Sequence, residues 1–259
     1  MRIPIFQVDA FAAVPFTGNP AAICPLEKWL PDHLMQAIAA ENNLAETAFF
    51  VKDGDGYGLR WFTPAVEVDL CGHATLGSAY VLWEKLGCAA ERISFQTRSG
   101  TLTVTRENDV LALDLPARAP VACEVHPSLV EAIGGQPREV LAARDYFVVY
   151  EGEEEVRGLT PNFRELAKVD RFAVIATAPG KECDFVSRFF APAQGIDEDP
   201  VTGSAHCTLT PYWSARLGKQ KLRAKQVSPR GGVLQCEDRG ERVSIAGKAV
   251  LYLEGSIFV

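Results

Sequence analysis

Residues 190–206, FAPAQGIDEDPVTGSAH, gather groups that could bind and polarise a small anion. Asp199, Ser204 and His206 lie within a few positions of Gly203. A Gly-Ser step that opens a helix leaves backbone N–H groups without intrahelical partners, and these groups favour a bound anion. The segment therefore predicts a site for a negatively charged group, flanked by a carboxylate, a hydroxyl and an imidazole.

The chain contains an earlier version of this segment. Residues 60–65 (RWFTPA) precede 71–87 (CGHATLGSAYVLWEKLG), and about 130 positions later residues 188–193 (RFFAPA) precede 203–218 (GSAHCTLTPYWSARLG). Both copies read Arg-aromatic-Phe, then Pro-Ala, a short spacer and a segment that begins at Gly72 or Gly203 and ends in Leu-Gly. A repeat of this spacing indicates a duplicated domain-sized unit and not a solenoid.

The two segments that follow Gly72 and Gly203 carry few polar residues on any side, which predicts helices buried inside a β-rich shell. We therefore predict an α+β fold of two pseudo-symmetric domains, each a barrel-like mixed or antiparallel sheet wrapped around a central apolar helix. The predicted halves are residues 1–116 and 117–259, and the last strand can cross back to the first half. A site would lie in the cleft between the two helix starts.

Local patterns add three predictions about the elements around these helices. Pro31 suits the first turn of a helix that closes at Asn42-Asn43. Residues 140–151 are typical of a strand. The acidic stretch 151–155 is predicted to be a solvated loop.

Glu46 is the one charged residue in the strand-like run 43–51. A period of two places it on a face with Ala48 and Phe50, while the opposite face is also largely apolar. Burial there would favour the protonated carboxyl group, which suits a group that must both take and give a proton. From the residues alone, an exposed edge position or a buried salt bridge is an equally good explanation.

The other candidate groups have structural explanations as well. His73 can hydrogen-bond to backbone, Asp199 can stabilise the turn before Pro200, and Ser204 can cap its helix. Their interpretation as a site rests on their occurring together at two equivalent helix starts.

Composition narrows the range of partners. The 259 residues are 47% apolar and 23% charged, an ordinary globular mixture, and the net charge of −7 argues against nucleic acid. The N-terminus is too polar for a signal peptide, and no apolar run approaches the ~18 residues of a membrane span. Seven scattered cysteines without a Cys-x-x-Cys pair indicate reduced thiols and no zinc site. We expect a cytoplasmic protein with a small-molecule carboxylate substrate, no nucleic-acid partner and no membrane partner.

Five separated motifs resemble those of the phenazine-biosynthesis PhzF-like isomerase family. They are 7–11 (QVDAF), 17–21 (TGNPA), 43–49 (NLAETAF), 71–77 (CGHATLG) and 198–206 (EDPVTGSAH). They occur in the family's order and extend from the first strand to the second repeated helix. The resemblance implies a fold similar to that of diaminopimelate epimerase, with two pseudo-symmetric domains and a cleft between them.

The resemblance also implies roles for individual residues. Glu46 matches the catalytic glutamate, which in the phenazine enzyme moves a proton from C3 to C1 of trans-2,3-dihydro-3-hydroxyanthranilate without a metal or organic cofactor. His73 would orient the substrate or assist the transfer, and Asp199 would bind its polar substituents. The Gly72-His73 and Gly203-Ser204 amides would hold its carboxylate. A homodimer is left open, since members of the family are often dimeric.

Related epimerases and proline racemases use two cysteines, one at the helix start of each half. This chain has Cys71 in the first half but Thr202 at the equivalent position, and Cys207 is predicted to pack within its helix. The sequence therefore favours an isomerase that moves a proton. A racemase or epimerase using Glu46 with another donor, and a non-catalytic binding protein on the same fold, are the alternatives.

Overall fold

The structure is a computed structural model that describes residues 1–259. Eight strands and two helices come first: β1 (Arg2–Ala10), β2 (Asn19–Leu26), α1 (Asp32–Asn42), β3 (Glu46–Asp53), β4 (Gly56–Phe62), β5 (Glu67–Val68), α2 (Gly72–Glu84), β6 (Arg92–Thr97), β7 (Gly100–Glu107) and β8 (Val110–Pro116). The remaining elements are β9 (Val121–Ala122), α3 (Leu129–Ile133), β10 (Glu139–Ala142), β11 (Tyr146–Val149), α4 (Glu153–Gly158), α5 (Phe163–Leu166), β12 (Val174–Pro179), β13 (Phe185–Ala191), β14 (Ile196–Asp199), α6 (His206–Leu217), β15 (Lys221–Gln226), β16 (Gly232–Asp238), β17 (Arg242–Gly247) and β18 (Ala249–Phe258). None of the helices is long and apolar enough to cross a membrane.

The chain divides into two compact units. Unit 1 contains Met1–Asp114 and Ala246–Val259, and unit 2 contains Leu115–Ile245. The C-terminal segment lies in unit 1 because β18 pairs along its length with β1, from Arg2 opposite Phe258 to Ala10 opposite Ala249.

The two units repeat the same order of strand pairing. In unit 1, β1–β2 is antiparallel, β2–β3 parallel, β3–β4 antiparallel, β4–β6 parallel and β6–β7 antiparallel. In unit 2, the pairs β10–β11, β11–β12, β12–β13, β13–β15 and β15–β16 alternate in the same way. Two parallel pairs at matching places in two mixed sheets are the structural counterpart of the sequence repeat.

Each unit surrounds one central helix, as the fold-class prediction required. In α2 every residue except Tyr80 and Glu84 is buried. Its Gly77 packs so closely that a Cβ there would lie 3.2 Å from Ile23 Cδ1. In α6, the Trp213 ring stacks on Phe185 with centroids 5.8 Å apart. The apolar surface of both helices is therefore buried against strands of their own unit.

Shorter helices cover the outer face of each sheet. In unit 1, α1 buries Met35 and Ile38 against Phe49 and Phe62. In unit 2, α3, α4 and α5 contribute buried side chains to a cluster that includes Phe190. Each sheet thus has a core on both faces, which explains why its central strands are almost wholly apolar.

Two local predictions were wrong. The acidic stretch 151–155 is not a solvated loop, because α4 begins at Glu153, where three glutamates in the first turn interact favourably with the helix dipole and Val156 is buried. Residues 140–151 do not form one strand. They form β10 and β11, joined by a turn in which the Ala143 N–H donates to the Asp145 carbonyl oxygen at 3.1 Å.

Candidate functional site

Glu46 and His73 meet in unit 1. Glu46 is the first residue of β3 and His73 the second residue of α2, and Glu46 Oε2 lies 3.1 Å from His73 Nε2. Their side chains are 14% and 6% exposed. The distance is that of an ion pair, but the two atoms do not align as a hydrogen bond. Glu46 Oε2 is therefore a buried acceptor beside the His73 imidazole, and no hydrogen bond occupies this oxygen.

Two further groups approach the other edge of the His73 ring. Asn19 Nδ2 lies 3.2 Å from His73 Nδ1, and Cys71 Sγ lies 3.5 Å from the same nitrogen. Asn19 begins β2 directly after Gly18, whose φ of +67° favours glycine and where a Cβ would lie 2.2 Å from the Ala10 carbonyl oxygen. The turn that requires this glycine thus places Asn19 against the imidazole.

Asn19 belongs to this candidate site by its contact with His73 and was not identified from the sequence. It is the only polar residue in β2, which otherwise reads PAAICPL, and it is fully buried. The one feature of the sequence that could have identified Asn19 is its position as a single amide in an apolar strand. Since rotation of the amide exchanges its donor and acceptor, Asn19 can serve His73 in either protonation state.

The charges at this cluster favour a cationic His73. Burial lowers the pKa of His73, while Cys71 and Glu46 raise it, and the net result is a pKa well above the usual value. Burial, reinforced by Glu46, raises the pKa of Cys71 to about 11. Burial thus favours the thiol form of Cys71, and the carboxyl group of Glu46 lies at the Nε2 edge of the ring.

Glu46, Cys71 and His73 place their ligand-type atoms within 4.8 Å of one another. Cys71 approaches Nδ1 and Glu46 approaches Nε2, however, and the lone pairs of these two nitrogens point away from each other. One metal ion bound to either nitrogen would be out of line with one of the other two ligands. The arrangement fits a chain of proton-sharing groups better than a three-ligand metal centre.

In unit 2, Asp199 ends β14 next to the start of the central helix. Thr202, which stands where unit 1 has Cys71, donates from Oγ1 to Asp199 Oδ2 at 2.5 Å. The Gln226 side chain accepts from the Thr202 N–H and donates to the Asp199 carbonyl oxygen, both at 2.8 Å. Gln226, which is fully buried, was not identified from the sequence. The Thr202 hydroxyl thus binds the Asp199 carboxylate, while Gln226 connects the backbone groups of Asp199 and Thr202.

Gly203 and Ser204 lie in a 3-10 turn, Gly203–Ala205, and α6 proper begins at His206. Gly203 is buried and Ser204 half-buried. His206 is fully buried, and its Nδ1 donates to the Thr202 carbonyl oxygen at 2.9 Å. Burial lowers the pKa of His206 to about 4, so the ring is neutral at physiological pH. Its contacts identify His206 as a structural group of the helix start.

A duplicated ion pair supports both helix starts. Arg60 binds Glu67 through two bonds of 2.7 and 2.8 Å, and Arg188 binds Glu198 through two bonds of the same lengths. Each arginine belongs to the repeated Arg-aromatic-Phe motif, and each glutamate lies in the spacer before the helix. The paired guanidinium thus ties the spacer to the strand that precedes it.

Comparison with known proteins bears on the whole chain. A family model described as "Phenazine biosynthesis-like protein" matches residues 8–255. An uncharacterized isomerase of Pseudomonas aeruginosa is 55% identical over 258 residues, which cover 99% of each chain. The crystal structure of a PhzF-family phenazine biosynthesis protein from Enterococcus faecalis matches with a TM-score of 0.97 and 49% identity over 100% of both chains. A hydroxyproline epimerase from Agrobacterium vitis shares the fold, with a TM-score of 0.65 at 13% identity over 99% of this chain and 92% of that one.

Proposed function

This chain belongs to the phenazine biosynthesis-like (PhzC-PhzF) family, and we propose that it is an isomerase that moves a proton on a small carboxylate-bearing substrate without a cofactor. The proposed reaction is similar to that of trans-2,3-dihydro-3-hydroxyanthranilate isomerase. The observation that carries the proposal is the buried contact between Glu46 Oε2 and His73 Nε2 at 3.1 Å. The isomerase name of the 55% identical relative supports the reaction class.

In the proposed reaction Glu46 acts as both base and acid. Its carboxylate takes a proton from a carbon next to an unsaturated bond, and the electron pair left behind delocalises towards the substrate's carboxylate. The protonated Glu46 then returns the proton to a different carbon, so that the double bond moves and Glu46 is regenerated. One group on one face of the substrate is sufficient for this sequence.

His73 would stabilise the intermediate through its charge. In the resting pair the Glu46 carboxylate balances the imidazolium. When Glu46 takes the proton it becomes neutral, and the fixed imidazolium then faces the negative charge that develops on the substrate. Cys71 and Asn19 contact the far edge of the ring at 3.5 and 3.2 Å and would hold it in place during the transfer.

The substrate's polar groups are assigned to the two helix starts. The first-turn N–H groups at Gly72 and His73 in α2, and at Gly203 and Ser204 in unit 2, lack intrahelical partners and are suited to an anion. Asp199, oriented by Thr202, would accept hydrogen bonds from an amino or hydroxyl substituent. The cleft between the halves stays a prediction.

An epimerase is the second candidate, because the hydroxyproline epimerase has the same fold and Cys71 lies beside His73. Against it, the equivalent group in unit 2 is Thr202, whose hydroxyl is engaged by Asp199. A base on the opposite face would therefore have to come from another residue.

The proposal is tested by a screen of cyclic and acyclic β,γ-unsaturated amino acids, starting with dihydro-hydroxyanthranilate, with ultraviolet absorbance reporting the shift of conjugation. Active compounds are then incubated in D2O. Movement of the double bond supports the isomerase, whereas deuterium at an inverted stereocentre with no bond movement supports the epimerase. Turnover of none of these compounds would favour a binding protein.

A further inference from the structure

Gln226 is a fully buried amide that faces the start of the second central helix. Its Oε1 accepts from the Thr202 N–H at 2.8 Å, and its Nε2 donates to the Asp199 carbonyl oxygen at 2.8 Å and to Thr202 Oγ1 at 3.2 Å. A backbone N–H can only donate and a backbone carbonyl can only accept, so the two backbone contacts determine which end of the amide carries the oxygen. The second hydrogen of Nε2 is therefore directed at the Thr202 hydroxyl.

The Thr202 hydroxyl links the Gln226 amide to the Asp199 side chain. Gln226 Nε2 occupies a lone pair of Thr202 Oγ1, and the hydroxyl proton is donated to Asp199 Oδ2 at 2.5 Å. Hydrogen bonds in such a chain polarise and strengthen one another. Thr202 is 7% exposed and Asp199 is half-buried, so the chain leads from the interior of unit 2 to a residue in contact with solvent.

The strand register locates Gln226 within the internal repeat. Gly58 lies opposite Gln96 in the parallel pair β4–β6. Its repeat equivalent, Val186, lies opposite Lys225 in the parallel pair β13–β15. Gln96 and Lys225 are therefore equivalent, and the counterpart of Gln226 is the residue that follows Gln96.

That counterpart is Thr97, which bonds within its own turn. Thr97 Oγ1 donates to the Gly100 carbonyl oxygen at 2.7 Å and accepts from the Ser99 N–H at 3.1 Å. Its hydroxyl thus stabilises the turn after β6, whereas the amide of Gln226 binds the helix start.

The position of Asp199 is apolar in unit 1. Asp199 lies opposite Phe189 in the pair β13–β14, and Val68 lies opposite Trp61 in the pair β4–β5. Since Trp61 and Phe189 are equivalent in the repeat, Val68 takes the place of Asp199. The position of Thr202 is a cysteine in unit 1, so all three residues of the hydrogen-bond chain differ between the units.

The bond that attaches this strand end to the helix start is nevertheless the same in both units. Ser99 Oγ donates to the Asp69 carbonyl oxygen at 2.7 Å. Its equivalent Ser228 Oγ donates to the Pro200 carbonyl oxygen, also at 2.7 Å. The shared framework therefore has its own bond, and the amide of Gln226 is an addition in the unit that carries a carboxylate beside the helix start.

We propose that Gln226 is a positioning residue, which holds the Thr202 hydroxyl with its proton directed at Asp199 Oδ2 and so fixes the Asp199 carboxylate as the acceptor for an amino or hydroxyl substituent of the substrate. The inference rests on the proposed function for that substituent. Gln226 is fully buried, so it acts through Thr202 and not by touching the substrate.

The test uses two probes that differ in one amino group. Anthranilate and benzoate are titrated calorimetrically into the full chain at neutral pH, for wild type, Thr202→Val, Gln226→Met and the double variant. We expect wild type to prefer anthranilate by at least ~10-fold, the effect of a hydrogen bond to a charged group. Thr202→Val and Gln226→Met keep the size of the side chain and should each reduce this preference by at least ~3-fold, with the affinity for benzoate changed by less than ~2-fold.

The double variant separates action through Thr202 from an independent effect. In the Thr202→Val background, Gln226→Met should reduce the preference by less than ~1.5-fold further, because the hydroxyl on which it acts is already missing. A further loss as large as that in the wild-type background, or equal affinity of wild type for both probes, overturns the proposal.

Two variants show whether the hydroxyl chain is what matters. Thr202→Ser keeps the hydroxyl and should retain the wild-type preference. Ser228→Ala removes the serine bond from the same strand end and should also retain it. A preference reduced as much in Ser228→Ala as in Gln226→Met would show that any loosening of the strand end has this effect, which contradicts a specific role of the amide.

A second measurement needs no ligand. With 13C-labelled aspartate, the side-chain carboxyl carbon of Asp199 is assigned from its loss in Asp199→Asn. Its signal should shift in Thr202→Val and in Gln226→Met and keep its wild-type position in Ser228→Ala. An unmoved signal in Gln226→Met contradicts the inference.

The two proposals fail separately. Glu46→Gln should keep the preference for anthranilate while losing turnover. If Glu46→Gln keeps turnover, the shuttle proposal fails and the results for Gln226 stand. If Gln226→Met keeps the wild-type preference while Glu46→Gln loses turnover, only the Gln226 proposal fails.

Discussion

His206 occupies in unit 2 the place of Thr75 in unit 1. Thr75 Oγ1 donates to the carbonyl oxygen of Cys71 at 2.6 Å, and His206 Nδ1 donates to the carbonyl oxygen of Thr202 at 2.9 Å. Cys71 and Thr202 are themselves equivalent, so the same bond secures the first turn of both central helices. This equivalence indicates that His206 has a structural role at the start of α6 and takes no part in the proposed reaction.

The first prediction replaces His206 by threonine, the residue that unit 1 has at the equivalent position. His206→Thr can restore the bond to the Thr202 carbonyl oxygen, whereas His206→Val has nearly the same volume without a donor. Both lose packing against Phe185, so both should be less stable than wild type. We expect the threonine variant to exceed the valine variant by about 1 kcal/mol in urea unfolding followed by the fluorescence of Trp213. Equal stabilities would show that the bond contributes nothing.

The second prediction concerns acid stability. The pKa of His206 falls from 6.5 to about 4 on folding because the ring is buried. Between these values the unfolded chain binds a proton that the folded chain does not, so the free energy of unfolding decreases as the pH falls. From pH 7.5 to pH 5 this amounts to about 2 kcal/mol.

His206→Thr removes this dependence, and the variant should lose about 2 kcal/mol less than wild type when urea unfolding is measured at both pH values. His73 acts in the opposite direction, because its raised pKa gives stability below 6.5 that is lost as the pH rises through the folded value. An identical pH dependence in the variant and wild type would contradict a buried neutral His206.

The sequence predicted those features that depend on local pattern. The central helices were visible because a Gly start and an apolar circumference occur twice, and Glu46 was visible as a lone charge in an apolar run. Asn19 and Gln226 could not be identified from the sequence. Their roles depend on which strand ends lie beside which helix start, and a local pattern does not show this. The break before Asp145 was hidden for a related reason: Leu141 and Phe147 continue an apolar pattern across it, and only the pairing of β10 with β11 shows the turn.

The third prediction tests the proton shuttle. Glu46→Gln keeps the size of the side chain but cannot carry the proton, and we expect turnover to fall by at least ~10² with the unfolding midpoint little changed. Glu41→Gln, an exposed residue of α1, makes the same chemical change away from the cluster and should keep full turnover. Wild-type turnover in Glu46→Gln would eliminate the glutamate as the shuttle.

The fourth prediction concerns Asn19 as a positioning residue. Asn19→Ala removes the amide 3.2 Å from His73 Nδ1, so the ring should lose its fixed orientation relative to Glu46. We expect kcat to fall ~10-fold with a smaller change in KM, because the loss affects the transition state more than binding. The 15N shifts of the His73 ring nitrogens should also change. Exposed Asn108→Ala is the control, and unaltered ring shifts in Asn19→Ala would mean that Asn19 only fills space.

The last prediction separates the two equivalent ion pairs. Glu67→Gln leaves Arg60 with Asp32, whose Oδ1 lies 2.9 Å from Nη1, at the exposed end of the pair. Glu198→Gln leaves Arg188 without a carboxylate partner, beside the Phe190 ring and backbone carbonyl oxygens, of which that of Leu159 is the nearest at 2.7 Å. Arg188 is also the more buried arginine, with a side chain 10% exposed against 19% for Arg60.

A buried guanidinium without a carboxylate partner is costly. We therefore expect Glu198→Gln to lower the free energy of unfolding by about 2–3 kcal/mol and Glu67→Gln to lower it by about 1 kcal/mol. Trp213 is the only tryptophan of unit 2, whereas Trp29, Trp61 and Trp83 are in unit 1. Urea unfolding followed by fluorescence, with and without Trp213→Phe, therefore assigns each loss of stability to its unit. Equal losses would mean that the carbonyl oxygens around Arg188 compensate its charge as well as Asp32 compensates that of Arg60.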